Sequence, residues 1–319
     1  MGWKPSTIMA GIMPKLYIDE FVGIANRLET LPLAFALSQA HGHEIVLDWH
    51  ELDSFSVAGA SRGKLHLLAR LGAQRVRRCD ELTFAALADK KIILRSLDGP
   101  APQLDAIYLQ TAARIKLAAP LRQAIATCLA EAEGRPLVGV HIRQGDYRLA
   151  DTERYDIGNQ WPAVPLWWYE SQMAALVARQ PDTCFYLACN GDPGPLRQRF
   201  GAFRVLTLAL PSPYRYKGED HRSQVHPVAD LFALACCPLL LATPISGYSH
   251  WAANVLGPPS LCLVPLPGAR RDDPRSGLVS LYGQRLPRWR AAGRSGSDTR
   301  PLADLSSLPP LGGADTLWL

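Results

Sequence analysis

Four polar side chains crowd into seven residues where a short apolar run ends. The run is Val138-Gly-Val-His-Ile142, and the side chains are His141, Arg143, Asp146 and Tyr147. An apolar run of this length reads as a buried parallel strand, and the C-terminal edge of an open α/β sheet is where ligands bind. An arginine there, followed by Gly and Asp, suits an anionic group such as phosphate, because its planar fork grips two oxygens at once. Two further strand patterns end in distinctive turns. Cys184 to Ala188 runs into Cys-Asn-Gly-Asp-Pro193, and Leu239 to Ala242 runs into Thr-Pro-Ile-Ser-Gly-Tyr-Ser-His-Trp251. In a parallel sheet the three turns share one edge. Ser246, Gly247, Tyr248 and Ser249 open a helix whose first amides, with two hydroxyls, suit a diphosphate. Asp192 can accept two hydrogen bonds from a base edge, and guanine offers the matching N–H pair. Together these residues predict a nucleoside-diphosphate site. Singly, each has a plainer use: His141 as a core histidine, Arg143 and Asp146 as a salt bridge, the serines as helix caps, Asp192-Pro193 as a turn.

The bulk numbers fit such a site. With 319 residues, 48% of them hydrophobic and 20% charged, the chain is an ordinary globular protein with room for two domains. The net charge of +5 is spread out, which argues against a nucleic-acid groove. Arg75-Val-Arg-Arg78 and Arg270-Arg271 are small local patches that read as solvated faces. Seven cysteines without a C-x-x-C pair suggest buried thiols in a reducing compartment, with neither disulfides nor a metal site. Met1-Gly-Trp-Lys-Pro-Ser6 matches an N-myristoylation pattern, one short enough to arise by chance. No secretory signal is apparent. The longest apolar run, Leu231 to Ala242, contains Pro238 and falls short of the ~20 residues a membrane span needs. The expected location is the cytoplasm.

The elements that must position these turns alternate between strand and helix, the signature of α/β architecture. Strands are expected at Lys15 to Ile18, Glu44 to Trp49, Val138 to Ile142, Cys184 to Ala188, Val205 to Leu210 and Leu239 to Ala242, with Cys262 to Pro265 closing the sheet. Helices are expected after Asp19 to Leu28, where Pro32 should kink or delay the regular part, and over Pro165 to Gln180, Pro195 to Phe200 and Asp230 to Cys236. One long helix is expected from about Thr111 to Glu133, kinked at Pro120. Domain boundaries then fall at residues 1–134, 135–267 and a loop-rich, partly disordered tail, 268–319.

These residues resemble the GDP-fucose-dependent fucosyltransferases: the α-1,2- and α-1,6-fucosyltransferases, the nodulation fucosyltransferases and the protein O-fucosyltransferases. The pattern His-x-Arg-x-Gly-Asp-Tyr is matched by His141, Arg143, Gly145, Asp146 and Tyr147. Ile245 to Ala252 is similar to Ser-Ser-x-Phe-Ser-x-Trp-Ala. It is preceded by Asp230-Leu-Phe-Ala-Leu-Ala-Cys, another shared pattern. Gly23 to Leu28 resembles Gly-x-x-Asn-Arg-Leu, and the turn ending at Asp192 has its counterpart too. The matches keep the family's order over roughly residues 15 to 257.

The resemblance implies a GT-B-like α/β fold: two Rossmann-like domains with parallel sheets facing a cleft. It also implies an inverting, metal-independent transfer from GDP-fucose, used as donor substrate with no cofactor, to a hydroxyl of a glycan or glycosylated small molecule. Arg143 would grip the β-phosphate, Ser246 and Ser249 the diphosphate, and Asp192 the guanine. His141 would lie beside the nucleotide, with Gly23, Asn26 and Arg27 across the cleft. An arginine and a helix N-terminus can offset the charge developing on the leaving GDP. The chain departs from the family at Gln144, where many relatives carry a second Arg. It also has Gly247 for Ser, Tyr248 for Phe, and Gly23 where some relatives place a catalytic Glu. The general base is therefore open among Asp19, Glu20, Asp151 and Glu153, with Asp151 and Glu153 preferred because they follow Tyr147. Trp161, Trp167 and Trp168 are candidates to stack on sugar faces, with core packing expected for at least one of the latter two. The competing readings are a transferase for another nucleotide sugar and a catalytically silent nucleotide-binding scaffold.

Overall fold

The structure, a computed structural model, describes residues 13–143, 149–150, 164–211, 225–258, 260–265, 268–273, 278–281, 299–301 and 305–319. The chain forms two compact units, Met1–Leu52 with Val57–Arg114, and Asp53–Ser56 with Ile115–Leu319.

The first unit is built on β1 (Lys15–Ile18), α1 (Ile24–Leu28), α2 (Leu31–His41), β2 (Glu44–Leu47), β3 (Phe55–Val57, mostly counted with the second unit), β4 (Ala60–Arg62), α3 (Leu67–Arg70), β5 (Gln74–Val76), α4 (Glu81–Ala86), β6 (Ile92–Leu94) and α5 (Ala101–Ala113). Its five-stranded sheet runs β4-β2-β1-β6-β5, and every pairing is parallel. The central strands Leu16–Ile18, Ile45–Leu47 and Ile92–Leu94 are buried, as expected of strands covered on both faces. Pro32 delays the regular helix and does not kink it. It occupies the first turn of α2, where the missing N–H has no partner to lose.

The second unit continues through β7 (Ile115–Leu117), α6 (Ala119–Ala130), β8 (Leu137–Ile142), β9 (Leu149–Ala150), β10 (Val164–Pro165), α7 (Leu166–Arg179), β11 (Cys184–Cys189), α8 (Gly194–Arg199), β12 (Arg204–Leu206), α9 (Pro227–Ala235), β13 (Leu239–Leu241), α10 (Gly247–His250), β14 (Leu261–Pro265), β15 (Leu278–Leu281) and β16 (Thr299–Pro301). Its sheet has the order β12-β11-β8-β13-β14-β15-β16, parallel through β14 and antiparallel thereafter. Buried Leu166, Tyr169, Met173 and Leu176 recur along α7 at helical spacing and join Val138, Val140, Phe185 and Leu187 in the core. Gly139 lets α9 approach β8. A Cβ there would stand 2.9 Å from Leu234 Cδ2 and 3.3 Å from Cys237 Cβ.

Three expectations are corrected. The single helix from Thr111 to Glu133 is two helices separated by β7. Ile115-Lys116-Leu117 alternates buried, exposed, buried, a strand's period, and Pro120 sits in the first turn of α6 rather than at a kink. Cys262 to Pro265 does not close the sheet, because β15 pairs with β14 and β16 with β15. The stretch beyond Gly268 is more than loops. Leu305, Leu308 and Leu311 enter the second core, and Trp318 stacks on Phe232 with ring centroids 5.8 Å apart. The short Leu-Val-Ser-Leu281 run of β15 is flanked by Arg, Gly and Pro, so composition averaged over the region conceals it.

Candidate functional site

β11, β8 and β13 are adjacent parallel strands, so the segments that follow them leave the sheet at one edge. Arg143 follows β8, Asn190 to Asp192 follow β11, and Thr243 to Ser249 follow β13. The three turns singled out by sequence are therefore brought to one sheet edge.

Two of these segments are tied directly. His141 Nδ1 and Ser249 Oγ lie 2.7 Å apart, both side chains buried. The Ser249 hydroxyl also accepts the Thr243 N–H at 3.2 Å. Thr243 Oγ1 donates to the His141 carbonyl at 2.7 Å and accepts the Arg143 N–H at 3.0 Å. Thr243 thus takes the place of the next strand residue in the ladder and fixes the backbone from which the half-buried Arg143 side chain departs. Sequence reasoning gave Thr243 no role. Its signal was a hydroxyl residue directly after a buried strand and before a proline.

Ser246 caps α10, accepting the Ser249 N–H at 3.5 Å, so its plainer use as an N-cap is realised. The preceding Ile245 is exposed and holds φ +59°, a left-handed conformation disfavoured for a β-branched residue. Such backbone persists where its surroundings fix it, here between the buried Thr243 and Ser246. Tyr248 stacks on His141, with ring centroids 4.8 Å apart and planes inclined by 26°, and its hydroxyl donates to the Pro227 carbonyl at 2.6 Å. Asp192 is exposed and accepts the Gly194 N–H at 2.8 Å, a local turn at the start of α8.

Burial sets the electrostatics behind this edge. Burial first, and then the charge of Arg143, push the His141 pKa down to about 3, so its imidazole is neutral at ordinary pH. Asp230 on α9 is also buried. Desolvation raises its carboxyl pKa to about 7, partly offset by the Tyr186 hydroxyl, which donates to it at 2.5 Å. The Tyr186 and Tyr248 phenols are both held well above their usual range, chiefly by burial and next by the nearby Asp230. Asp230 entered the sequence reading only as a motif member. Its buried pairing with Tyr186 joins residues 44 apart and left no local trace.

The remaining nominated residues fall elsewhere. Gly23, Asn26 and Arg27 lie in the first unit, where Gly23 precedes α1. Arg27 is only 1% exposed. Its guanidinium donates twice to Glu51, at 2.9 and 2.5 Å, and once to the Val22 carbonyl at 2.8 Å, and it lies 5.2 Å from the centre of the Trp49 ring. Asp19 binds Arg95 through both oxygens, and Glu20 lies 2.7 Å from His50 Nδ1. Trp167 and Trp168 are both buried in the second core. Gln144, Gly145, Asp146, Tyr147, Asp151, Glu153 and Trp161 lie outside the described residues. All seven cysteines are free and buried.

No family model and no curated protein matches this sequence. Solved structures do match. The fucosyltransferase NodZ from Bradyrhizobium is 16% identical at a TM-score of 0.51, over 81% of this chain and 97% of that one. NodZ α-1,6-fucosyltransferase co-crystallised with GDP aligns at 0.50, again at 16% identity, over 80% and 96% of the two chains. A mutant of Arabidopsis thaliana FUT1 in complex with GDP is 10% identical at a TM-score of 0.52, over 85% of this chain and 75% of that one. With its mixed α/β units and parallel sheets, the chain has the GT-B-like fold of these fucosyltransferases.

Proposed function

We propose that this chain is an inverting, metal-independent glycosyltransferase that moves fucose from GDP-fucose to a hydroxyl of a glycan or glycosylated small molecule. The observation that carries the reading is the convergence at one sheet edge of Arg143, the α10 segment and Asp192, with the first two locked together through Thr243, Ser249 and His141. The fold shared with fucosyltransferases that have been crystallised with GDP adds support.

In this reading Arg143 grips the β-phosphate. The α10 segment, Ser246 to Ser249, receives the diphosphate, and Asp192 accepts from guanine. The neutral His141 holds Ser249 in place beside the nucleotide without adding a second charge. An acceptor hydroxyl attacks the anomeric carbon, a carboxylate takes its proton, and GDP departs against Arg143 and the amides of α10. Asp151 and Glu153 are the proposed bases.

Calorimetry with GDP and UDP in the absence of divalent metal tests the donor site, and GDP release from GDP-fucose then tests turnover. GDP binding well ahead of UDP, with GDP released, is the expected result. Binding without release would replace the enzyme with a nucleotide-binding scaffold. Failure of both nucleotides to bind would remove the site.

A further inference from the structure

The segment from Lys64 to Cys79 carries Lys64, Arg70, Arg75, Arg77 and Arg78, all exposed, and contains no Asp or Glu. Within it, α3 and its C-cap residue Leu71 turn three leucines to solvent. Leu67 is 76% exposed, Leu68 72% and Leu71 60%. They are not a misplaced core face, since α3 and the residues leading into it already bury Ala69 and Leu65 against Tyr17, Val46 and Ile93. Arg75 pairs with Ile93 across the ladder, so it stands at the sheet edge on the face that α3 covers. The Lys91 ammonium donates to the Leu71 carbonyl at 2.6 Å, adding another cation beside the leucines. Single exposed leucines need no explanation, whereas three on one short helix and its C-cap, within a basic segment, do.

We propose that this surface of the first unit docks on an anionic lipid bilayer, with Leu67, Leu68 and Leu71 entering the acyl boundary and the arginines meeting lipid phosphates. The chemistry favours a lipid surface over a protein partner. The leucines protrude from one helical turn and its C-cap, a shape that inserts into a fluid layer. The cations outnumber the nearby acids, Asp48 on Lys64 and the flanking Asp80 and Glu81, so the net positive charge suits a diffuse field of anionic headgroups. The attachment is peripheral. Among the described residues no helix is long and apolar enough to cross a membrane.

Flotation of the full chain with vesicles tests this, using phosphatidylcholine alone and phosphatidylcholine mixed with phosphatidylglycerol. The chain should float with the anionic vesicles and not the neutral ones, and rising salt should weaken the association. Leu67→Asn with Leu71→Asn should weaken partitioning on the order of a hundredfold, about tenfold per leucine. The Arg75→Ala, Arg77→Ala, Arg78→Ala triple variant should also release the protein. All these positions are exposed, so thermal unfolding of both variants should match the parent. Any of four results would overturn the proposal. The chain could fail to float with anionic vesicles, or float equally with neutral ones. The leucine variant could bind like the parent. Size-exclusion chromatography could show those leucines holding a dimer together, which would assign the patch to a second copy. GDP binding is measured separately, so this outcome and that of the proposed function are independent.

Discussion

Two arginines stand out in the sequence, one in each unit, and the fold uses them in opposite ways. Arg27 is sealed inside the first unit by Glu51, the Val22 carbonyl and the Trp49 ring, with 1% of its surface exposed. Arg143 stands half-buried at the end of β8, its backbone fixed by Thr243. Both belong to motifs shared with the fucosyltransferase pattern, yet Arg27 is 1% exposed and bound through a buried ion pair, whereas Arg143 keeps part of its surface in solvent at the sheet edge where the three turns meet. Residue type supplied the chemistry in each case, and burial decided what that chemistry serves.

Removing each partner tests the contrast. Glu51→Ala strips the buried guanidinium of its closest carboxylate and leaves only Glu20 at 3.8 Å, and urea denaturation should show a loss of about 3 kcal/mol, the low end for a broken buried pair. Arg143→Ala, at a half-buried position, should shift the same transition by less, about 1 kcal/mol. Its effect should appear instead in GDP release from GDP-fucose, slowed on the order of 10²–10³-fold as expected for loss of a transition-state charge donor. If Arg143→Ala unfolded the protein as Glu51→Ala does, the two arginines would be alike and the contrast would fail.

Within the second unit a similar contrast separates two buried titratable groups. His141 titrates near 6.5 when unfolded and about 3 when folded, so its contribution is present above pH 6.5 and is lost as pH falls towards 3. Asp230 moves the other way, from 3.8 to about 7, so its contribution is full below 3.8 and is lost as pH rises towards 7. Between roughly pH 4 and 6.5 the two slopes oppose each other. Asp230→Asn removes one of them. Denaturation midpoints across this window should then fall on acidification more steeply than in the parent, and the variant should gain on the parent as pH rises. A parallel pair of curves would mean that Asp230 titrates as an ordinary carboxylate. Ser249→Ala should have a smaller effect, costing about 1–3 kcal/mol by leaving the Thr243 N–H and the His141 ring nitrogen without their partner. Thermal unfolding of that variant measures it.

What the sequence made legible was mostly local. The runs of β1, β8 and β11 and the helical spacing of α7 each depend on neighbours within a few residues, and all four elements formed close to their expected bounds. Three strand ends met at one edge because parallel topology follows from alternating elements. What stayed hidden depends on distant partners. Glu51 closes on Arg27 from 24 residues away, and Thr243 bonds His141 across 102. The strand β7 was concealed because three residues between two helical patterns do not alter the period of a longer window. Trp167 and Trp168 offered two uses from sequence, and only packing, which buries both, selects one.

The smallest effect expected belongs to Ile245, and it bears on whether the α10 segment is held under tension. A left-handed conformation costs an L-residue roughly 1–2 kcal/mol, and Ile245 bears that cost while more than half of its surface faces solvent. Asn tolerates the same backbone, and the exposed Ile side chain gives up little packing. Ile245→Asn should therefore raise stability by about 0.5–1 kcal/mol, read as a higher unfolding midpoint, with GDP affinity unchanged. Glycine would relieve the same strain but would free the unfolded chain as well, so its gain should be smaller. A stability loss with Asn would show that the Ile side chain contributes more than its backbone costs, and that Thr243 and Ser246 hold the turn without tension.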